Sequence, residues 1–111
     1  MVKERRNAER FDITELIFVT KPGESRAGLL VDVSSQGAGV EFVDPLVHVA
    51  HGFKPGDAVN LMIDQLGELP GRVARATDKK IAIEFQVDDQ EQEMLVAEIE
   101  AAYRDLRGGQ G

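Results

Sequence analysis

The chain lacks cysteine altogether and contains no long apolar run. The absence of cysteine excludes disulfides and thiolate metal sites, and it is compatible with a reducing compartment. No stretch reaches the roughly 18 apolar residues that a membrane-spanning helix needs, and no apolar segment resembling a secretory signal follows residues 1–5. Because 111 residues suffice for a single core, we expect one cytoplasmic domain without a membrane span.

Positive charge and aromatic side chains are scarce as well. The chain has 13 Lys and Arg against 20 Asp and Glu, a net charge of −7, and only 5% aromatic residues. Non-specific nucleic-acid binding needs many cations to neutralise phosphates, and single strands need aromatic rings on which bases stack. With two histidines and serines confined to turns, no nucleophile–base pair stands out. An enzyme and a nucleic-acid-binding barrel are therefore disfavoured, and we expect no catalytic residue.

One short segment departs from the acidic balance. Residues 1–10 carry a net charge of +2, so residues 11–111 carry −9. Arginines concentrated in so acidic a chain indicate an anionic ligand held locally, not a surface that binds polyanions broadly. The alternative is a frayed basic terminus without a function.

Runs of β-branched, aromatic or alternating residues between Gly and Pro turns predict six strands. They occupy residues 14–20, 26–33, 38–43, 59–63, 70–76 and 80–85. In the second run, strict alternation places Ala27, Leu29, Val31 and Val33 on one face and Gly28, Leu30 and Asp32 on the other.

The C-terminal part has a different period. Asp88 is a plausible N-cap with Glu91 at the capping-box spacing, and one helical stripe follows, formed by Leu95, Ile99, Ala102, Tyr103 and Leu106. We therefore predict a mainly β fold, a small six-stranded antiparallel β-barrel with a C-terminal α-helix over residues 12–107, and a loose tail at 108–111. Side chains fill the interior of so small a barrel, so a ligand must bind on a rim or an outer face.

Two motifs could meet at such a surface. The first is Arg6-x-x-x-Arg10, whose planar guanidinium groups can grip phosphate oxygens in pairs or stack on a purine. The second is Asp32-x-Ser34-x-x-Gly37. Asp32 can accept from the N1–H and the exocyclic amine of guanine, Ser34 is a small donor or acceptor, and Gly37 permits a positive φ or the close approach of a ligand. Together they describe a guanine-nucleotide site without a P-loop.

In this order along the chain, the two motifs resemble those of the PilZ domain family, bacterial receptors for cyclic di-GMP. The resemblance extends to the Gly37–Val40 stretch, the Pro55–Asp57 turn and the Ile83–Phe85 strand before the final helix. It implies a non-catalytic receptor that uses no cofactor and relays binding of cyclic di-GMP to an effector protein. The target, the oligomeric state and the choice between one ligand molecule and a stacked pair stay open.

The resemblance also implies roles for individual residues. Arg6 and Arg10 contact phosphates and guanine faces and edges, Asp32 and Ser34 contact a guanine, and Gly37 shapes the turn. Arg5 precedes the first motif arginine, and its position suggests a supporting contact. Residues 1–11 are expected to be a flexible segment that folds over the barrel around the ligand.

Other candidates are weaker. His48 and His51 are three residues apart, but a metal site needs more ligands in a fixed geometry, so packing or surface roles are preferred. Arg72 and Arg75 suggest a partner surface or, more simply, a solvated sheet edge. The main alternative function is a PilZ-like protein–protein adaptor that binds no nucleotide.

Overall fold

The computed structural model describes residues 10–42 and 51–104, with backbone only at Arg104. Six antiparallel strands form a closed barrel in the order β1-β2-β3-β6-β5-β4. An α-helix, α1, follows the last strand and continues into a short π-helical segment. The bounds are β1 Phe11–Lys21, β2 Glu24–Val33, β3 Gly37–Glu41, β4 Ala58–Ile63, β5 Gly67–Ala76, β6 Lys80–Phe85, α1 Asp89–Ile99 and the π-helical segment Glu100–Arg104. The predicted fold class is confirmed.

The barrel interior is the hydrophobic core. Alternate residues of each strand point inward, as the period of two requires, and β-branched and aromatic side chains fill the lumen. Val19, Leu30, Val40 and Leu61 have no measurable exposure. A ligand therefore has only the outer surface of this barrel available, as the sequence indicated.

The capping box predicted for the helix is present. The Asp88 side chain accepts from the backbone N–H of Glu91 at 2.7 Å, and the Glu91 side chain accepts from the N–H of Asp88 at 3.2 Å. Along the predicted stripe, Leu95, Ile99 and Tyr103 are buried. The regular α-helix ends at Ile99, and the remaining turn to residue 104 is π-helical, so the stripe reaches Tyr103 on a wider turn.

The face assignment predicted for β2 is wrong. Gly28, Leu30 and Val33 are all buried, whereas strict alternation put Val33 on the opposite face from the other two. Against β3, Leu30 opposes Val40 and Asp32 opposes Gly39, so β2 contains one extra residue. This β-bulge shifts the alternation, turning Asp32 outward and Val33 inward.

Several sequence predictions fall outside the described residues. They are the arrangement of the N-terminal segment before residue 10, with Arg5 and Arg6, the position of His48, and the tail from residue 108. Within the described ranges, no helix is long and apolar enough to cross a membrane.

Candidate functional site

The two motifs are in contact through Arg10 and Asp32. Nη1 of Arg10 donates to Oδ1 of Asp32 over 2.6 Å. Antiparallel pairing of β1 and β2 sets Phe11 opposite Val33, so the residue that enters β1 lies beside the end of β2. The side chains remain 55% and 29% exposed, respectively, and the guanidinium keeps further N–H donors for another acceptor. The pair is thus open to a ligand.

Ser34 holds the turn of the second motif together. Its hydroxyl accepts from the backbone N–H of Gln36 at 3.1 Å, and its own N–H donates to the carbonyl of Gly37 at 2.9 Å. The residue is 1% exposed, and it does not line the groove described below. From α1, the amide of Gln92 donates to the carbonyl of Ser35 at 3.0 Å. Ser34 therefore fixes the turn in this structure, and the predicted guanine contact stays a prediction.

Gly37 is a glycine because of the neighbouring strand. Its φ is not positive, so the conformational reason considered from the sequence does not apply. A methyl group at this position would overlap the backbone carbonyl of Ile83 on β6. What approaches Gly37 closely is a backbone of the barrel itself, because β3 and β6 pair there.

The absence of a side chain at Gly39 likewise makes room for a neighbour, here the side chain of Asp32. A Cβ atom at Gly39 would lie 3.0 and 3.1 Å from the two carboxylate oxygens of Asp32. Contacts this short would force the carboxylate to move. The missing side chain at Gly39 therefore gives Asp32 the space to lie against β3.

A groove of about 620 Å³ runs across the outer face of β3, β6 and β5, with Arg10 and Asp32 at one side. Its floor consists mainly of small residues, among them Gly39 and Ala82. The charged residues that line it are Arg10, Asp32, Arg75, Lys80 and Glu84. These carry a net charge of +1 in a chain of net charge −7, so the groove is locally suited to an anion.

The sequence also matches a known protein family. A family model of the PilZ domain matches residues 4–101, most of the chain. The chain belongs to the PilZ domain family. No curated protein matches it in a direct search.

Solved PilZ structures share the fold. The PilZ domain of CeSA from a cellulose-synthesizing bacterium has a TM-score of 0.64 at 22% identity, covering 83% of this chain and 94% of that one. YcgR from Escherichia coli, solved with c-di-GMP, has a TM-score of 0.63 at 17% identity, covering 95% and 49%. MrkH from K. pneumonia, also a c-di-GMP complex, has a TM-score of 0.58 at 16% identity, covering 94% and 55%. This chain therefore spans about half the length of those last two proteins.

Arg75 of this PilZ domain lies on the groove, not on the sheet edge considered from the sequence. The closed barrel has no edge for it to solvate. A signal was available, because strict alternation from the inward Val73 would bury an unpaired guanidinium, which is costly. A β-bulge between Val73 and Arg75 avoids this burial. Arg72, the other arginine considered from the sequence, donates to the carbonyl of Gly56 at 2.9 Å.

His51 is a structural residue. Its Nε2 lies 2.6 Å from the carbonyl of Thr77, and its Nδ1 accepts from the N–H of Phe53 at 3.0 Å. This network assigns the proton to Nε2 and leaves neither ring nitrogen free for a metal. Phe42 packs against the ring as well, at 5.0 Å between centroids. Within residues 10–42 and 51–104, no three His, Asp or Glu side chains are grouped as metal ligands.

Proposed function

We propose that this PilZ domain is a non-catalytic receptor for cyclic di-GMP that passes the signal to a protein partner. The observation that carries the proposal is the contact between Arg10 and Asp32 on an open groove. It puts a group suited to phosphate beside a group suited to guanine. Support comes from YcgR and MrkH, which share the fold and were solved with c-di-GMP.

Arg10 and Asp32 divide the recognition between them. Nη1 of Arg10 and Oδ1 of Asp32 bond to each other, which orients both groups. The remaining N–H donors of Arg10 can then grip a phosphate or stack on a purine. The second oxygen of Asp32 can accept from guanine. Arg6 supplies a second guanidinium from the N-terminal segment, and Arg5 a supporting one.

The relay is proposed to run through the C-terminal helix. Tyr103 packs on Phe11, next to Arg10, with ring centroids 6.5 Å apart. Gln92 bonds to the turn of the second motif, at Ser35. The residue that follows the first motif and the turn of the second motif both contact the helical end of the chain. Folding of the N-terminal segment over the groove would therefore change the surface there that an effector meets.

Calorimetric titration with cyclic di-GMP tests the proposal and returns the stoichiometry. Arg10→Ala, and equally Arg6→Ala, should weaken binding by on the order of 1.5–3 kcal/mol, or about ten- to a hundredfold, because each removes a charge-assisted contact. Lys21→Ala is the matched control. It also deletes a cation paired with an aspartate, at Asp57, but one that does not line the groove.

Hydrogen exchange in the same samples tests the relay. Residues 3–11 should become protected when the ligand binds. Equal exchange with and without ligand would rule out folding of the segment. If the wild type does not bind cyclic di-GMP at all, the receptor proposal fails and the adaptor alternative replaces it.

A further inference from the structure

Four directly opposed residues form a row across the outer face of the barrel. Asp32 on β2 opposes Gly39 on β3, Gly39 opposes Ala82 on β6, and Ala82 opposes Arg75 on β5. Directly opposed residues of neighbouring strands point to the same side of a sheet. The row therefore begins at the proposed guanine acceptor and ends at a guanidinium.

The two residues in the middle of the row have side chains small enough for a flat group to lie over them. Gly39 and Ala82 carry no side chain larger than a methyl group and form part of the groove floor. The backbones of Asp32 and Arg75 are three strand spacings apart, or about 14 Å at ~4.8 Å a step. Cyclic di-GMP has two guanylate halves, and Asp32 at one end of the row can read only one of them.

A β-bulge turns Arg75 toward this floor. In β5, the buried residues Leu69, Gly71 and Val73 follow the period of two, which would direct Arg75 inward next. Instead, Val73 opposes Ile83 while Arg75 opposes Ala82, so Ala74 is an extra residue. Bulges often re-aim a side chain next to a binding site. Here the result is an exposed guanidinium on the groove lining.

Arg75 also differs in its partners from Arg10, Arg26 and Arg72, the other arginines whose side chains the structure describes. Arg10 bonds to Asp32, and Arg72 donates to the Gly56 carbonyl, so part of each guanidinium is engaged. Arg75 has no hydrogen bond or ion pair among residues 10–42 and 51–104. Its donors are thus available to a ligand.

We propose that Arg75 is a further ligand-binding residue, which grips the half of cyclic di-GMP that Asp32 does not reach. The proposal rests on the proposed function above. The guanidinium bonds to two acceptors at once, either phosphate oxygens or the O6 and N7 edge of the second guanine. Gly39 and Ala82 form the floor under the ligand between the two ends.

Calorimetry with cyclic di-GMP on four proteins at one salt concentration tests this. Arg75→Ala should weaken binding roughly ten- to a hundredfold, and Arg75→Lys nearly as much, because a lysine lacks the fork. Arg72→Ala removes the same charge from the same strand, outside the groove lining, and should stay within about twofold of the wild type. Thermal unfolding of each variant verifies that it is folded.

Ala82→Leu gives an independent test of the floor. A leucine there would occupy the space above the sheet. It should weaken binding at least tenfold, about the loss in affinity expected when one contact to the ligand is removed. Ala27→Leu is its control, since Ala27 is an exposed alanine of β2 away from the groove.

The outcomes separate the two proposals. If the wild type fails to bind, the receptor assignment fails. If the wild type binds and Arg10→Ala weakens it, while Arg75→Ala matches Arg72→Ala, the assignment of Arg75 is wrong and the receptor stands. Arg75→Lys with wild-type affinity would overturn the two-acceptor grip.

Discussion

Two regions of the barrel hold an aspartate against a cation, and their aspartates are equally exposed, at 29% of the side chain. In the groove, Asp32 bonds to Arg10 at 2.6 Å. Near the start of β4, Asp57 bonds to Lys21 at 3.0 Å. The exposure of the aspartates therefore does not distinguish the two pairs, whereas their cations differ, with Arg10 55% and Lys21 22% exposed. The other partners of each pair account for the difference.

The Asp57 pair is held within a network of the fold. The Oδ2 atom of Asp57 also accepts from the backbone N–H of Lys54 at 2.9 Å. Lys21 donates to the carbonyl of Gly52 at 2.9 Å and lies 5.1 Å from the centroid of the Phe53 ring. The backbone hydrogen bond from Lys54, followed by the bond from Lys21, lowers the pKa of Asp57 below its ordinary value. The charge of Asp57 is therefore engaged in contacts within the fold.

The Asp32 pair has little of that support. Among the described residues, Arg10 is the one side chain that bonds to the Asp32 carboxylate. The neighbouring position on β3 is left empty by Gly39, and the groove opens beside it. A carboxylate with spare acceptor capacity on an open groove is available for a ligand, whereas Oδ2 of Asp57 already accepts two hydrogen bonds from its own chain.

Replacing the two aspartates separately gives the largest expected contrast. Asp32→Ala should weaken cyclic di-GMP binding about ten- to a hundredfold and change the free energy of unfolding by less than about 1 kcal/mol, because an exposed ion pair contributes little to stability. Asp57→Ala should lower the melting temperature and leave affinity within about twofold. Calorimetric titration and thermal unfolding measure both. An equal loss of affinity in the two variants would remove the distinction between the regions.

The two glycines of β3 sharpen the comparison at a smaller scale. Gly39→Ala should reduce affinity by about fivefold, on the order of 1 kcal/mol, because the new methyl group displaces the Asp32 carboxylate without touching a backbone. Gly37→Ala meets the carbonyl of Ile83 instead and should cost about 1–3 kcal/mol of unfolding free energy. Chemical denaturation and titration of both variants separate the effects. A Gly39→Ala protein that binds like the wild type would show that Asp32 does not need this space.

Local patterns predicted the architecture, because it depends on signals that residues carry by themselves, whereas they left open whether the two motifs meet. The number of strands, the turn residues between them and the Asp88–Glu91 capping box all agree with the structure. The bulges were not predicted. One extra residue in β2 reverses the alternation before Asp32, and one in β5 does so before Arg75. Such insertions depend on which strand pairs with which, and in what register, so a period of two read along one strand misses them.

The role of Gly37, the glycine of the second motif, was missed for a related reason. A glycine in a turn suggests a positive φ, but Gly37 is required by the approach of β6, a strand more than forty residues later in the chain. Gly39 depends likewise on a side chain of β2. Packing between strands that are distant in sequence decides both positions, whereas local propensity decides neither.

The smallest expected difference is between the wild type and a charge-removing variant of Asp57, in how steeply the free energy of unfolding changes with pH under acidic conditions. Since the folded-state pKa of Asp57 is depressed below the ordinary value of an aspartate, its contribution is present above that ordinary value and is lost as the pH falls through the folded pKa. Asp57→Asn keeps an oxygen for the Lys54 N–H but not the charge facing Lys21. Its unfolding free energy should therefore fall less steeply than that of the wild type between about pH 5 and about pH 2, as measured by urea denaturation. Parallel curves for the two proteins would mean that the Asp57 network does not support the fold through its charge, and the contrast with Asp32 would then rest on binding alone.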